Sequence, residues 1–517
     1  MDAINQKILN YFSYGKIENK SDQLFLFFQT IIDKFKKKTI NNELKNINFD
    51  KNNTEKFIEL VFYLSKEPLT SYKDLADKVN ISKNTFMDFT KIIREIDVLQ
   101  KIIITDGLGS KYWINTILPL LKSNSINNFL NQKYSYPFRV GLFPGISCMF
   151  ECSFCGRNYD AVYKRSSLDQ GMQDYFNLID EAPTEDPNRF YISGGLEPLT
   201  NPKLTMLFDK LREKKFNSSL YTNAFMLTKK YLQKNPSFFD LNSMRISFYG
   251  VDDQKTFAVT KKKNAFEIVT NNIFNYLVEK NEKNSKTSFG LNFVILQNRS
   301  DDVIELLKLI SKINRRVNSQ KKNNFDFLTL REDFRIFGSR IDEEEKIKLI
   351  KNISLVEKMV KEDEYLNGLF IDYGFALEPL KKGFLGNKFD DIFASLEDLK
   401  ILGVPQASVS VDLYGDVYLY RESAFLDRPG AKKYIIGNLH KDKNMKTIIE
   451  NFTYKPKQIN ILESDRDYLD SWDHVTVKLA NQINKNKNYG FSLDNSAINI
   501  ENSNFILNSS HQVHYSK

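Results

Sequence analysis

The sequence is poor in the residues that most often carry metal and proton chemistry: its 517 residues include three cysteines and four histidines. Three cysteines cannot build a disulfide framework, and they leave no spare thiol for a four-cysteine zinc site or a second cluster. The histidines, His440, His474, His511 and His514, all come late in the chain. An acid or base in the preceding part must therefore be Asp, Glu, Tyr, Lys or a bound water. No uninterrupted apolar run approaches the ~20 residues needed to cross a bilayer. Residues 1–16 have neither a basic n-region nor an apolar h-region. The expectation is a soluble, cytoplasmic protein with no membrane partner. A formal charge of +9, from 74 Lys+Arg against 65 Asp+Glu, is enough to attract an anionic substrate. It is spread too thinly to mark a nucleic-acid binder.

What the chain does have is concentrated. All three cysteines lie in Cys148-Met149-Phe150-Glu151-Cys152-Ser153-Phe154-Cys155, at C-x3-C-x2-C spacing. Three thiolates this close can hold three corners of a cubane iron–sulfur cluster, whereas a cluster ligated wholly by protein takes four. The remaining iron would be open to a ligand, which separates a reactive site from a sealed structural one. A zinc knuckle would want a fourth ligand, and no histidine is near in sequence.

Residues 54–120 have the pattern of a winged helix-turn-helix. Helices are expected over Thr54–Ser65 and Tyr72–Val79, with Ser82 capping a third whose Phe86, Phe89, Ile93 and Ile96 share one face. A hairpin over residues 102–114 would be the wing. The exposed side of the third helix mixes Lys83, Lys91 and Arg94 with Asp88 and Glu95, so a packing or substrate-covering role is favoured over reading DNA. After a linker at residues 123–133, strands alternate with helices: Phe138–Phe143, Arg189–Ser193, Ser218–Tyr221, Met244–Tyr249, Phe289–Ile295 and Phe325–Leu330. This succession predicts an α/β fold, a partial (β/α)6 TIM-like barrel with a parallel sheet. The expected domains are 1–132, winged-helix-like; 133–345, the barrel; 346–483, a C-terminal α/β extension; and 484–517, a flexible tail.

Active sites of such barrels gather where strands end. The cysteine loop follows the first strand. Ser193-Gly194-Gly195-Leu196-Glu197-Pro198 follows the second, its glycines letting a ligand approach the backbone. Asn223, Ser247, Tyr249, Asn292, Arg331, Glu332 and Asp333 end later strands. Together they would ring one mouth with groups suited to a ribose, a carboxylate and a polyhydroxylated substrate. Arg331 has the planar fork for a carboxylate or phosphate.

The cysteine spacing, with Phe154 before the last cysteine, resembles the signature of the radical S-adenosylmethionine (SAM) superfamily. The resemblance implies a [4Fe-4S] cluster on Cys148, Cys152 and Cys155 and SAM held near Phe154, Gly194, Gly195, Glu197, Asn223, Ser247, Asn292 and Arg331. Leu196 is an extra residue inside the element that resembles the superfamily's Gly-Gly-Glu-Pro. A flavodoxin- or ferredoxin-type electron donor is implied as well. The hairpin 408–421 resembles the start of a C-terminal extension that often carries an auxiliary cluster, but here Tyr420, Arg421 and Glu422 stand where cysteine would be needed.

Further stretches, among them Ser193–Pro202, Tyr221-Thr222-Asn223, Arg331-Glu332-Asp333, Ile371–Gly374 and Gly415–Glu422, resemble the TDP-4-amino-4,6-dideoxyglucose ammonia-lyases of desosamine biosynthesis, as far as about Asn481. That implies radical deamination of a nucleotide-linked amino sugar to a 3-keto-4,6-dideoxy sugar, with Glu332, Asp333, Tyr249 and Glu422 as acid–base candidates. The rival readings are a radical SAM sugar dehydrogenase, a peptide-modifying radical SAM enzyme and an iron–sulfur redox-sensing transcription factor.

Overall fold

The computed structural model describes residues 22–39, 42–66, 72–95, 120, 123–317, 322–335, 338–339, 341–373, 377, 380–381, 394–400, 403–454 and 459–487. The chain divides into two compact units at Asn124/Ser125, with a second boundary at Lys478/Leu479.

The N-terminal unit contains the expected helices, observed at Lys51–Lys66, Tyr72–Val79 and Lys83–Glu95. Ser82 caps the last of these, its Oγ accepting from the Thr85 amide at 3.1 Å. An unexpected helix, Asp22–Lys38, precedes them. Phe28, Ile32 and Phe35, spaced i, i+4, i+7, are buried on its inner face. The core centres on Phe57, whose ring meets Phe89 edge-on at 5.2 Å and Phe28 at 6.1 Å. Phe86, Ile92 and Ile93 complete it. Ile96 and the expected wing at residues 102–114 lie outside the described residues, and the expected linker carries a short helix, Ser125–Leu130.

The second unit is built on one ten-stranded sheet. Its strands are β1 Arg139–Phe143, β2 Phe190–Ile192, β3 Ser219–Thr222, β4 Ser243–Phe248, β5 Ser288–Ile295, β6 Phe327–Glu332, β7 Phe370–Asp372, β8 Ser408–Asp412, β9 Asp416–Tyr418 and β10 Ile435–Asn438. Their order is β10-β9-β8-β1-β2-β3-β4-β5-β6-β7. The first six match the expected strands within two residues at each end. The parallel run does not stop there: β7 joins β6 in parallel, and β8 pairs in parallel along the whole of β1, Arg139 opposite Ser408 and Phe143 opposite Asp412. The C-terminal segment thus extends the sheet on both sides. Among the described strands of this sheet, β9 alone runs the other way, pairing antiparallel with β8 on one side and β10 on the other.

Helices Leu168–Glu181, Leu204–Glu213, Ala265–Glu282, Asp302–Val317 and Glu343–Glu362 connect or follow the strands. Such crossovers cover a parallel sheet, so β1 and β2 are buried at every position and read as near-continuous apolar runs. Polar side chains on such strands therefore stand out. Among the described residues no helix is long and apolar enough to cross a membrane.

β1 is fixed at its start by Arg139. Its guanidinium is fully buried, lies over the Phe138 ring 3.7 Å from the centroid, donates to the Phe138 carbonyl at 2.9 Å and pairs with Asp186. Arg139 is buried and Asp186 half-buried, so removing the carboxylate leaves the buried guanidinium without its counter-charge, and Asp186→Asn should lower the unfolding free energy by about 2 kcal/mol in urea titrations. An unchanged midpoint would show that Asp186 does not anchor β1.

Candidate active site

The loop after β1 has no helix or strand around its cysteines, and hydrogen bonds from neighbouring chain help to shape it. The Glu151 and Ser153 amides donate to the carbonyls of Thr260 and Val259 at 2.9 and 3.1 Å, just past β4. Thr200 Oγ1 accepts from the amides of Ile146 and Ser147 at 3.0 and 3.2 Å. Arg157 crosses beneath, donating to the carbonyls of Phe150, Asn158 and Tyr159. Phe150 packs edge-on to Phe225 and Tyr249 at 5.5 and 6.0 Å, and the Phe154 ring lies 5.6 Å from Tyr249.

The three thiols line a single cavity of about 460 Å³. Burial, with the Glu197 charge, pushes Cys148 up to about 11; burial, with the other two thiols, raises Cys152 further; burial also raises Cys155. Buried thiols in this state ionise only when a metal supplies positive charge. Groups that favour thiolate are close: Arg157 near all three, Arg428 near Cys155, the Tyr249 hydroxyl bonded to Cys152, and Asn223 Nδ2 3.9 Å from Cys148 Sγ. Among the described residues no three His, Cys, Asp or Glu side chains converge as the ligands of a single ion would. Each thiolate of a cubane takes a different iron, so a cluster does not require such convergence.

The loop after β2 is locked to the cysteine loop. The Glu197 amide donates to the Ser147 carbonyl at 2.9 Å. Gly194 has φ +142°, a conformation that side chains rarely adopt, and a Cβ on Gly195 would meet the Phe425 ring at 2.6 Å. Glu197 is only 3 % exposed. Its Oε1 accepts from the Leu199 amide at 3.1 Å and from the Thr222 hydroxyl, and its Oε2 from the Asn223 amide at 2.8 Å. Burial pushes this carboxyl up to about 7, opposed by those three donors. Glu197 therefore ties the β2 loop to the end of β3, and its oxygens are taken up within the protein.

All fifteen residues singled out from the sequence line this one cavity, but they face different parts of it. Asn223, Ser247 and Tyr249 stand with the thiols: Asn223 Nδ2 is 3.3 Å from Met149 Sδ, and burial raises the Tyr249 phenol far above its usual range. Glu422 also belongs there, with its carboxylate 3.6 Å from Arg428; burial raises it despite Arg421 and Arg428. Asn292 projects from β5 beside Ser247 on β4. At the β6 side are Arg331 and Glu332 of that strand and Asp333 just after it. Arg331 pairs with Asp372 of β7 at 3.1 Å. Glu332, with its side chain 2 % exposed, has Lys346 Nζ 3.7 Å from Oε1. Burial pushes this carboxyl up to about 7, with Lys346 opposing.

Sequence reasoning missed several lining residues. Arg245 on β4 was legible, because in Met-Arg-Ile-Ser-Phe the polar positions alternate and must share the inward face. Arg421 donates to Ser193 Oγ at 3.1 Å and pairs with Asp470 at 3.1 Å, bridging the β2 loop to the C-terminal segment. His474 reaches the cavity from the helix Ser471–Lys487, so late position in the chain did not exclude histidine from the site. Burial pushes it down to about 3, which leaves it neutral near pH 7.

A curated relative, dTDP-4-amino-4,6-dideoxy-D-glucose ammonia-lyase from Streptomyces venezuelae, is 32% identical over 437 residues, covering 83% of this chain and 87% of the relative. No family model matches. Among solved structures, Streptococcus suis SuiB aligns over 72% of this chain and 76% of its own with a TM-score of 0.37 and 14% identity. Native anSMEcpe with bound AdoMet and Cp18Cys peptide aligns over 69% and 99% with a TM-score of 0.41 and 15% identity.

Glu197→Ala would leave the Thr222 hydroxyl and the amides of Asn223 and Leu199 buried without an acceptor. Each such group costs about 1–3 kcal/mol, so the variant should lose on the order of 3 kcal/mol of stability in thermal or urea unfolding. Wild-type stability in that variant would mean that the two loops are held together by other contacts.

Proposed function

The chain belongs to the dTDP-4-amino-4,6-dideoxy-D-glucose ammonia-lyase family within the radical SAM superfamily, and from that premise we propose that it is a carbon–nitrogen lyase acting on a nucleotide-linked 4-amino-4,6-dideoxy sugar. Hydrogen is taken from C3, ammonia leaves C4, and the product is a 3-keto-4,6-dideoxy sugar. The net change on the sugar is loss of NH3: the hydrogen atom taken from C3 is replaced at C4 by one electron from the flavodoxin- or ferredoxin-type donor and one proton, so that the C3 carbinol becomes a ketone and C4 a methylene.

The observation that carries this reading is the shared cavity. Two mutually locked loops bring the three thiols and the Gly194-Gly195 backbone to the same cavity that Arg331, Glu332 and Asp333 line. Cys148, Cys152 and Cys155 would each hold one iron of a [4Fe-4S] cluster. The backbone of Gly194 and Gly195, with Asn223, Ser247 and Asn292, would hold SAM beside Phe154, and Glu197 would brace that loop from behind. When bound, the pair supplies a 5′-deoxyadenosyl radical, which takes a hydrogen atom from carbon.

The chain's own residues then divide the remaining work. Tyr249 and Glu422 stand beside the thiols, which suits them to tuning that end of the cavity. Glu332 or Asp333 would contact the substrate's C4 ammonium or C3 hydroxyl. With its carboxyl raised to about 7, Glu332 can take the C3 hydroxyl proton near neutral pH, while the C4 ammonium, already protonated, departs as NH3. Arg331, steadied by Asp372, offers its remaining donors to an anionic group of the substrate.

Anaerobic incubation with SAM, a reductant and nucleotide-linked amino sugars, followed by mass spectrometry, tests the reading. A product that has lost ammonia is expected; loss of two hydrogens would make the enzyme a dehydrogenase, and an unchanged sugar would overturn the substrate assignment. Because Glu332 must be ionised to accept a proton, turnover should fall about tenfold per pH unit below about 7 and level off above it. Glu332→Gln should remove that limb and slow turnover roughly 10²-fold or more. A wild-type pH profile in this variant would exclude Glu332 as the base.

A further inference from the structure

Six arginines line the cavity: Arg157, Arg245, Arg331, Arg421, Arg428 and Arg466. Five have oxygen partners of their own. Arg157 donates to backbone carbonyls, and the others pair with Asp372, Asp470, Glu422 and Glu463 respectively. Arg245 differs. It is 4 % exposed, and among the described residues no hydrogen bond or ion pair reaches its guanidinium, whose Nη2 is fully buried.

Its surroundings are aromatic. The guanidinium carbon lies 5.1 Å from the centroids of both Tyr221 and Phe327. Gly290, opposite Arg245 on β5, makes this packing possible: a Cβ there would come within 2.5 Å of the Phe327 ring. Cation–π contacts of this kind recover only part of what burying an unpaired ion costs. The Tyr221 hydroxyl, also buried, has no partner among the described residues. Two unsatisfied donors on one stretch of cavity wall call for an acceptor that arrives with a ligand. Arg245 lies two residues before Ser247 on the same strand face, about 7 Å deeper at strand rise. That is one step below the level at which Asn223, Ser247 and Asn292 stand.

We propose that Arg245, with the Tyr221 hydroxyl, receives phosphate oxygens of the substrate's diphosphate and so sets the depth at which the sugar is held. This rests on the reading of the substrate as nucleotide-linked. A charged oxygen matches a guanidinium held between ring faces better than a sugar hydroxyl does, because charge-assisted hydrogen bonds are about twice as strong as neutral ones.

The test uses the full chain, with thymidine 5′-diphosphate and SAM as separate probes in calorimetric titrations, on wild type, Arg245→Met, Arg245→Lys and Tyr221→Phe. Arg245→Met should weaken thymidine diphosphate binding at least 30-fold and leave SAM binding within twofold. Arg245→Lys should recover part of the loss, and Tyr221→Phe should weaken diphosphate binding several-fold. Without ligand, Arg245→Met should melt at or above the wild-type temperature, since an unpaired buried charge has been removed. Diphosphate binding that survives in both Arg245 variants overturns the assignment and leaves the substrate reading standing. A selective loss of SAM binding gives the arginine to the SAM carboxylate, and a chain that melts lower or fails to fold gives it to the core; either also overturns it. Wild type that does not bind thymidine diphosphate sinks the nucleotide-linked reading itself.

Discussion

A loop without regular structure cannot hold three thiols in place by itself, so the geometry of this site is imposed from outside the loop. The buried Glu197 carboxylate is central to that. It sits at the crossing of three segments, accepting from its own turn, from the Thr222 hydroxyl and from the Asn223 amide, while its backbone amide is bonded to Ser147. The cysteine loop, the glycine loop and the end of β3 are thereby one assembly. Thr200 adds two bonds to the same junction, and the carbonyls of Val259 and Thr260 hold the far side. Everything else in the cavity is arranged around a wall fixed in this way.

A consequence is a division of the cavity by chemistry. At the thiol end, cations and neutral donors prevail: Arg157, Arg428, Asn223 and Tyr249 face groups that become anionic when they bind metal. At the β6 end a carboxyl is kept near neutrality by burial, with one lysine at 3.7 Å to moderate it. On the proposed function, carbon–hydrogen cleavage is served by the first end and proton movement by the second. Arginine and aromatic side chains also alternate beside the cavity, with Arg421 over Tyr191 and Tyr221, and Arg245 between Tyr221 and Phe327.

Local features were the legible part of the sequence. The cysteine spacing, the glycines of the second loop and the six parallel strands all announce themselves within a few residues, because period-two burial and turn chemistry are local. Ser82 could be named as a cap for the same reason. Long-range pairing could not be read: nothing in Arg139–Phe143 points to Ser408–Asp412, yet these strands lie side by side in register. The sheet is therefore wider than the expected six-strand unit, and its C-terminal strands are part of it. His474 was passed over because position along the chain says little about position in space. The role of Glu197 was also hidden, since a carboxylate in a glycine-rich turn reads as a ligand until its three donors are seen. The raised carboxyl of Glu332 is a property of burial, which sequence does not display. Helix Asp22–Lys38 was missed although its apolar spacing was readable.

The account stands on the three cysteines acting together as cluster ligands, and iron content measured alongside SAM cleavage tests that most directly. Each of Cys148→Ala, Cys152→Ala and Cys155→Ala, reconstituted anaerobically beside wild type, should lose the cluster's iron and visible absorption and form no 5′-deoxyadenosine above background, while the wild-type chain forms it in proportion to its iron. A variant that is free of iron and still releases 5′-deoxyadenosine from SAM would contradict the account.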